Sequence, residues 1–376
     1  ILRQFDLSRG CFDISFHQFR FLAGGKGKTR DEKEFCQGRG CRLHSYLDSI
    51  QVNRNDDNLS MSWNIWEKRL LSSVRFVTVY SPPFIQTMEF PSEGQPRTLP
   101  LDRNRELLKS AREEVYKVVG DVSLPVYIWE PPADKNPSYP RSVAAFFFSS
   151  GWDNGQVAQF APHCVYLASR GMVAMAFDYR VANRQGGGPL EAIADAKSAI
   201  RWIRLNANEL GINPGKVVGI GGSGGAHAMA SAAILKGFDN PLESQELSPI
   251  PNGLVLYNPV MDTSKHGFGL ERFPDPGVAK EANLIRAITK GLPPMLIMHG
   301  TADRVVPFAG SYEFARKNSK KKNFCRFIEF EGQGHGFFNF NLSFEMYQAT
   351  LMAMDEFLVE QGFIEPDPDA GLERYD

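Results

Sequence analysis

The glycine-rich turn Gly221-Gly222-Ser223-Gly224-Gly225 constrains this chain more than any other stretch. It fits G-x-S-x-G, the sharp strand-to-helix turn that lifts a serine hydroxyl clear of a sheet. Before it stands a short β-rich run, Lys216-Val217-Val218-Gly219-Ile220, and after it Ala226 to Leu235 is rich in helix formers. The glycines have a mechanical reason. The serine needs a strained backbone with chain packed close on both sides, where Cβ atoms would clash.

The same residues also fit a rival pattern. Gly219-Ile220-Gly221-Gly222-Ser223-Gly224 matches G-x-G-x-x-G, the dinucleotide fingerprint. That fingerprint needs an acidic residue at the end of the next strand to hold a ribose. Here the next strand-like run, Gly253 to Tyr257, ends at Asn258, and Glu243 and Glu246 fall in a Pro-flanked loop. Three strand-helix units also precede the turn, whereas a dinucleotide fold opens with it. No organic cofactor is expected.

Composition narrows the partners. The 376 residues carry a formal charge of -1, which suits one large α/β domain or two ordinary ones. A balanced charge argues against nucleic acid, which needs a basic stripe to engage phosphates. No apolar stretch is long enough for a membrane span. Five cysteines, an odd number, close no disulfide framework. Cys36, Cys41 and His44 lack a second ligand pair of zinc spacing, so no metal site is expected.

Residues 1–60 mix Gly, Arg, Lys and Asp with little apolar periodicity and read as a poorly ordered extension. Met61 is a candidate initiator. Lys68 and Arg69 before Leu70-Leu71 have a faint signal-peptide pattern, but Arg75 interrupts the apolar run. The remaining divisions are a partly ordered N-terminal segment over 61–115, the main domain over 116–362 and a tail over 363–376.

Within the main domain, strand runs are predicted at Leu124–Trp129, Val143–Phe148, Met172–Phe177, Val217–Ile220, Leu254–Tyr257, Met295–Met298 and Arg326–Phe330. Helices are predicted through Val165–Ala168 up to Gly171, from Pro189 to about Leu210, near Glu281–Lys290 and Tyr312–Lys317, and over Phe344–Glu360. Alternation over this many units means a parallel sheet wrapped by helices. Right-handed crossovers place the strand C-termini along one edge, where ligands bind.

A serine alone is a poor nucleophile. It needs a base, and the base needs a carboxylate to fix its tautomer. In this architecture the partners follow in the order acid, then histidine. Pro294 to Asp303 is a strand running into a loop that presents Asp303, and the glycine-flanked loop Gly332-Gln333-Gly334-His335-Gly336 presents His335. Taken alone, Asp303 could be a helix-starting turn residue and His335 an ordinary loop histidine. Their order and strand-end placement favour Ser223, His335 and Asp303 as a catalytic set. Asp262 is the runner-up acid. His227 and His299 read as packing and structural hydrogen-bonding residues, and His163 and His266 as surface or cap residues. Oxyanion donors are expected from the backbone of Gly224 and from Ser150 and Gly151 in the loop after Val143–Phe148.

These residues resemble the α/β-hydrolase superfamily, and more narrowly its esterase/lipase branch, which includes hormone-sensitive-lipase-like enzymes and feruloyl and acetyl-xylan esterases. The resemblance covers about residues 116–362. It rests on Phe148-Ser149-Ser150-Gly151-Trp152, Asp178-Tyr179-Arg180, Asp195-Ala196, Arg201-Trp202 and the three catalytic motifs. It implies an α/β-hydrolase fold, with a mostly parallel central sheet flanked by helices, a short lid between Asp262 and Lys290, and no large cap domain. It implies a serine carboxylic ester hydrolase acting on small-molecule or carbohydrate esters through an acyl-enzyme. By the same resemblance, Asp178 and Arg180 stabilise the sheet edge.

The family's His-Gly-Gly is Phe148-Ser149-Ser150 here. The added Cβ atoms narrow the acyl pocket, which favours a small acyl group such as acetyl. Two rival functions are a serine exopeptidase of the prolyl-oligopeptidase type and a non-catalytic hydrolase-fold binding protein. No propeller-like repeat precedes the domain to favour the first, and an intact Ser, Asp and His set argues against the second. The oligomeric state and compartment are left open.

Overall fold

Strand and helix alternate from residue 141 onward as the hydrophobic pattern predicts, and an unpredicted helix and strand precede the Leu124–Trp129 run. The computed structural model describes residues 52–55, 58–61, 100–133 and 140–367. The chain divides into two units, Ile1–Pro91 and Ser92–Asp376. In the first, β1 (Val52–Asn55) and β2 (Asn58–Met61) pair antiparallel. The rest of the expected extension over 1–60 lies outside the described residues, as do 62–99.

The second unit opens with α1 (Pro100–Lys109), β3 (Arg112–Val119) and β4 (Val122–Trp129). Then come β5 (Arg141–Phe147), a 3-10 turn at Val157–Phe160, α2 (Ala161–Ser169), β6 (Val173–Phe177), α3 (Ala182–Gln185) and α4 (Pro189–Leu205). β7 (Ile212–Gly222) runs directly into α5 (Ser223–Ile234), followed by β8 (Gly253–Tyr257), α6 (Pro276–Glu281) and α7 (Leu284–Ala287). β9 (Met295–Gly300), α8 (Phe308–Lys320), β10 (Cys325–Phe330) and α9 (Phe344–Glu360) complete it.

The eight-stranded sheet has the order β10-β9-β8-β7-β5-β6-β4-β3. From β10 to β6 every pairing is parallel. β5, β6, β8 and β9 are buried along their whole length, as strands covered on both faces must be. β4 runs antiparallel to β6, and β3 antiparallel to β4. A two-residue turn at Gly120-Asp121 joins the last two, with Gly120 at a φ of +57° that a β-hairpin of this length demands.

The long helix stops earlier than predicted, at Leu205 rather than about Leu210. Asn206 Nδ2 donates to Trp202 O at 2.8 Å, and the chain reverses through Gly211 at a φ of +60°. Asn and Gly together end the helix while the apolar spacing continues. The stretch between Asp262 and Lys290 holds a 3-10 turn and the short α6 and α7, which is lid-sized. His163 corrects the surface reading. It is 1% exposed, and the rings of Phe146, Phe160, Tyr257 and Tyr347 surround it.

Asp178 and Arg180 are taken up in ion pairs, with Arg184 at 2.7 Å and with Asp195 at 2.7 Å. The completely buried Asp195 also holds Lys117 at 2.8 Å, so this cluster ties the antiparallel edge to α4. No helix among the described residues is long and apolar enough to cross a membrane.

Candidate active site

Ser223 stands at the junction of β7 and α5 with a φ of +52°. For a residue with a Cβ that conformation is strained, and it persists only where the surroundings enforce it. The neighbouring glycines show what enforces it. A Cβ on Gly221 would lie 2.7 Å from Ala226 N, and one on Gly225 would lie 2.6 Å from Phe147 O. Backbone occupies both places, so no side chain could move aside.

Asp303 follows β9 in a tight turn. Its Oδ1 accepts from Val305 N at 2.8 Å and Val306 N at 3.0 Å. Its Oδ2 accepts from His335 Nδ1 at 2.8 Å. The acceptor at Nδ1 puts the imidazole hydrogen there and leaves the Nε2 lone pair free. Burial alone would raise the Asp303 pKa. Hydrogen bonds from His299, His335 and the Val305 backbone instead hold it well below the usual carboxylate range.

Sequence reasoning took His299 as a structural hydrogen-bonding residue but did not connect it to Asp303. Its fully buried ring shares Asp303 Oδ2, with Nε2 at 3.1 Å. Nε2 also reaches Val306 O at 3.2 Å, and Nδ1 meets Ser311 Oγ at 2.8 Å. Two acceptors at Nε2 place a hydrogen there, so this imidazole braces the carboxylate from behind. His335 is half-buried. Its loop is tied to the Asp303 turn by Ala302 N donating to Gln333 O at 3.0 Å. Gly300 permits that approach, because a Cβ there would strike the Gln333 and Gly334 backbone.

Asp262, the runner-up acid, serves elsewhere. Its Oδ1 accepts from Asn283 Nδ2 at 2.6 Å and Ser264 N at 2.9 Å. His227 Nε2 donates to Ala282 O at 3.0 Å, and the ring packs edge-on against Trp152. Burial depresses its pKa to about 4. Among the described residues Asp303 and His335 are brought into a hydrogen bond, whereas Ser223 Oγ makes none to His335.

The loop after β5 lies against the start of α5. A Cβ on Gly224 would sit 3.2 Å from both Gly151 N and Trp152 N. Gly151 and Trp152 both hold positive φ, +55° and +63°. The Trp152 amide is already engaged, donating to Ser150 Oγ at 2.8 Å. Tyr179 fixes this loop, with its hydroxyl donating to Phe148 O at 2.7 Å and meeting Ser150 Oγ at 2.6 Å. Gln159 holds the residue between them by accepting from Ser149 N at 2.6 Å. Ser149 Oγ fills the space where a Gly222 Cβ would go, immediately beside Ser223. Phe338 is 1% exposed and stacks on Phe160, so it belongs to the core.

The BD-FAE family model matches residues 127–317, and the prolyl oligopeptidase family model matches 276–360. Esterase LipC of Mycobacterium tuberculosis is 27% identical over 225 residues, which cover 54% of this chain and 54% of the relative. The chain spans about half the length of the curated relatives it matches. Among solved structures, Thermogutta terrifontis esterase 2 phosphorylated by paraoxon is 45% identical with a TM-score of 0.64, covering 69% of this chain and 97% of that one. The propionate-bound form of that esterase is 44% identical with a TM-score of 0.64 and the same coverage.

Proposed function

The chain belongs to the BD-FAE family, in the esterase/lipase branch of the α/β hydrolases, and from that membership we propose that it is a serine carboxylic ester hydrolase. The observation that carries the reading is the His335–Asp303 pair at 2.8 Å, at the same sheet edge as the strained Ser223. In this proposal Ser223 Oγ attacks the ester carbonyl while His335 Nε2 takes its proton. Asp303 stabilises the imidazolium. The amides of Gly224 and the Ser150–Gly151 loop hold the oxyanion. Collapse of the tetrahedral adduct breaks the bond to the alcohol, which leaves with the proton from His335. Water, deprotonated by the same nitrogen, then releases the acid.

Short acyl groups suit the site best, acetyl first, including acetyl esters of carbohydrates. Ser149 Oγ takes up space beside Ser223 that glycine would leave open. Esterase 2 of T. terrifontis has been captured with propionate and with butyrate bound, which supports a small acyl pocket by analogy. A p-nitrophenyl series should be cleaved fastest at acetate to butyrate. Decanoate turnover well above acetate would reject the short-acyl reading.

The test of the reaction is Ser223→Ala. Activity should fall by roughly 10⁴ or more with folding preserved, and fluorophosphonate labelling should vanish. Wild-type turnover in that variant, or a wild-type protein that resists the probe, would reject the assignment. The second outcome would favour a non-catalytic binding protein. The prolyl oligopeptidase match at 276–360 favours one further reading, a serine exopeptidase. Cleavage of proline-containing peptide anilides at rates rivalling the esters would decide for it.

A further inference from the structure

Ser149 and Ser150 stand side by side in the loop after β5, and their hydroxyls have different fates. Tyr179 has a single hydroxyl hydrogen and gives it to Phe148 O at 2.7 Å. At its 2.6 Å contact with Ser150 Oγ it must therefore accept, so the Ser150 hydrogen is spent on Tyr179. Ser150 Oγ in turn accepts from Trp152 N at 2.8 Å.

Ser149 differs. Gln159 Oε1 accepts from Ser149 N at 2.6 Å, and Gln159 Nε2 donates to Ser149 Oγ at 3.2 Å. The carboxamide cannot be turned end for end. Its Nε2 also donates to Asn339 Oδ1 at 2.7 Å, and Asn339 is fixed in turn by Nδ2 donating to Gly336 O at 2.7 Å. Ser149 Oγ is thus an acceptor from Gln159, and its own hydrogen has no acceptor among the described residues. Its place is beside the nucleophile. A Cβ on Gly222, the residue bonded to Ser223, would strike Ser149 Oγ. Ser149 is half-buried and lines an open cleft of about 240 Å³, so a ligand can reach it.

We propose that the Ser149 hydroxyl is a catalytic group, a side-chain donor to the oxyanion alongside the backbone amides. The inference rests on the ester-hydrolase reading above. With Ser149 N and Trp152 N engaged, the amides left in this loop are those of Ser150 and Gly151, and the unspent O–H adjoins them. Charge builds on the carbonyl oxygen as Ser223 attacks, and it strengthens each hydrogen bond aimed there. Gln159 holds the hydroxyl before substrate arrives, so the donor needs no reorganisation at the moment of reaction. Asn339 and Gly336 carry the same support into the His335 loop, so one run of hydrogen bonds sets both the donor and the base.

The experiment measures Ser149→Ala and Ser149→Gly in the full chain on p-nitrophenyl acetate. In Ser149→Ala kcat/KM should fall by roughly 10², the loss expected for one oxyanion donor. Ser149→Gly should fall equally, since the hydroxyl matters and the Cβ does not, and it carries the test where the alanine variant fails to fold. A loss below about fivefold in either folded variant overturns the inference. An alkyl trifluoromethyl ketone bonds its carbonyl carbon to Ser223 Oγ and keeps the oxyanion, so its Ki should weaken by the same factor. A Ki within about twofold of wild type beside slower turnover would put the hydroxyl on the deacylating water, which also overturns the inference. Ser223→Ala inert beside an unimpaired Ser149→Ala would sink this inference alone. A wild-type protein that cleaves no ester and resists a fluorophosphonate would reject the hydrolase reading and this donor with it.

Discussion

Asp303 Oδ2 serves two imidazoles at once, His335 at the site and His299 behind it. Asparagine at 303 would present an N–H where both rings already donate, so one ring must turn or change tautomer. We expect Asp303→Asn to keep its fold and lose roughly 10³–10⁴ in kcat on p-nitrophenyl acetate. Asp262→Asn should stay within about threefold of wild type in the same assay, since Asp262 bonds only to groups outside the pair. A larger loss in the second variant would move the acid to 262. The His335 and Asp303 positions were legible because each sits on a loop just past a strand. The roles of Gln159 and Tyr179 were not. Gln159 lies in a 3-10 turn with no motif of its own, and Tyr179 reaches the Phe148 carbonyl across 31 residues of sequence.

Elements with uniform environments were read well, and those with mixed ones were not. β5 and β9 are buried throughout and mostly apolar, and α9 ends where predicted, at Phe344 and Glu360. β3 escaped because its edge position exposes one side. Val115 and Val118 face solvent while Tyr116 and Lys117 are buried, which gives neither a clean alternation nor an apolar run. Lys117 is buried there because Asp195 at 2.8 Å and Ser198 Oγ at 2.7 Å meet it from α4, partners 78 and 81 positions on that local pattern cannot supply. The β7–α5 junction yields a prediction at this scale. Gly225→Ala would push a methyl group into the Phe147 and Phe148 carbonyls at the end of β5. Strand and helix must separate to admit it, which should cost about 3 kcal/mol and most of the activity. Urea unfolding and turnover of one preparation check both, and a change below about 0.5 kcal/mol would show that the junction is loosely packed.

Across the whole molecule the parallel order was foreseeable from alternation, whereas the antiparallel β3–β4 edge depended on one two-residue turn. Global stability should fall in acid for an identifiable reason. Burial holds the pKa of His163 at about 3 and that of His227 at about 4, against 6.5 for an exposed imidazole. Above pH 6.5 both are neutral, folded or not, and cost nothing. Below it the unfolded chain binds protons that the folded chain cannot, so stability falls until the folded values are reached. Each should remove about 2 kcal/mol between pH 8 and pH 5. His163→Phe should therefore show about 2 kcal/mol less pH dependence in urea unfolding. An unchanged dependence would mean that the ring takes up a proton inside its aromatic cage. A last consequence concerns the backbone at Ser223. Glycine tolerates a φ of +52° where alanine does not, so Ser223→Gly should outmelt Ser223→Ala by roughly 1 kcal/mol, although under the proposed mechanism neither would turn over ester. A screen for heat resistance alone would thus drift toward glycine at this position, discarding the hydroxyl on which the proposed chemistry depends.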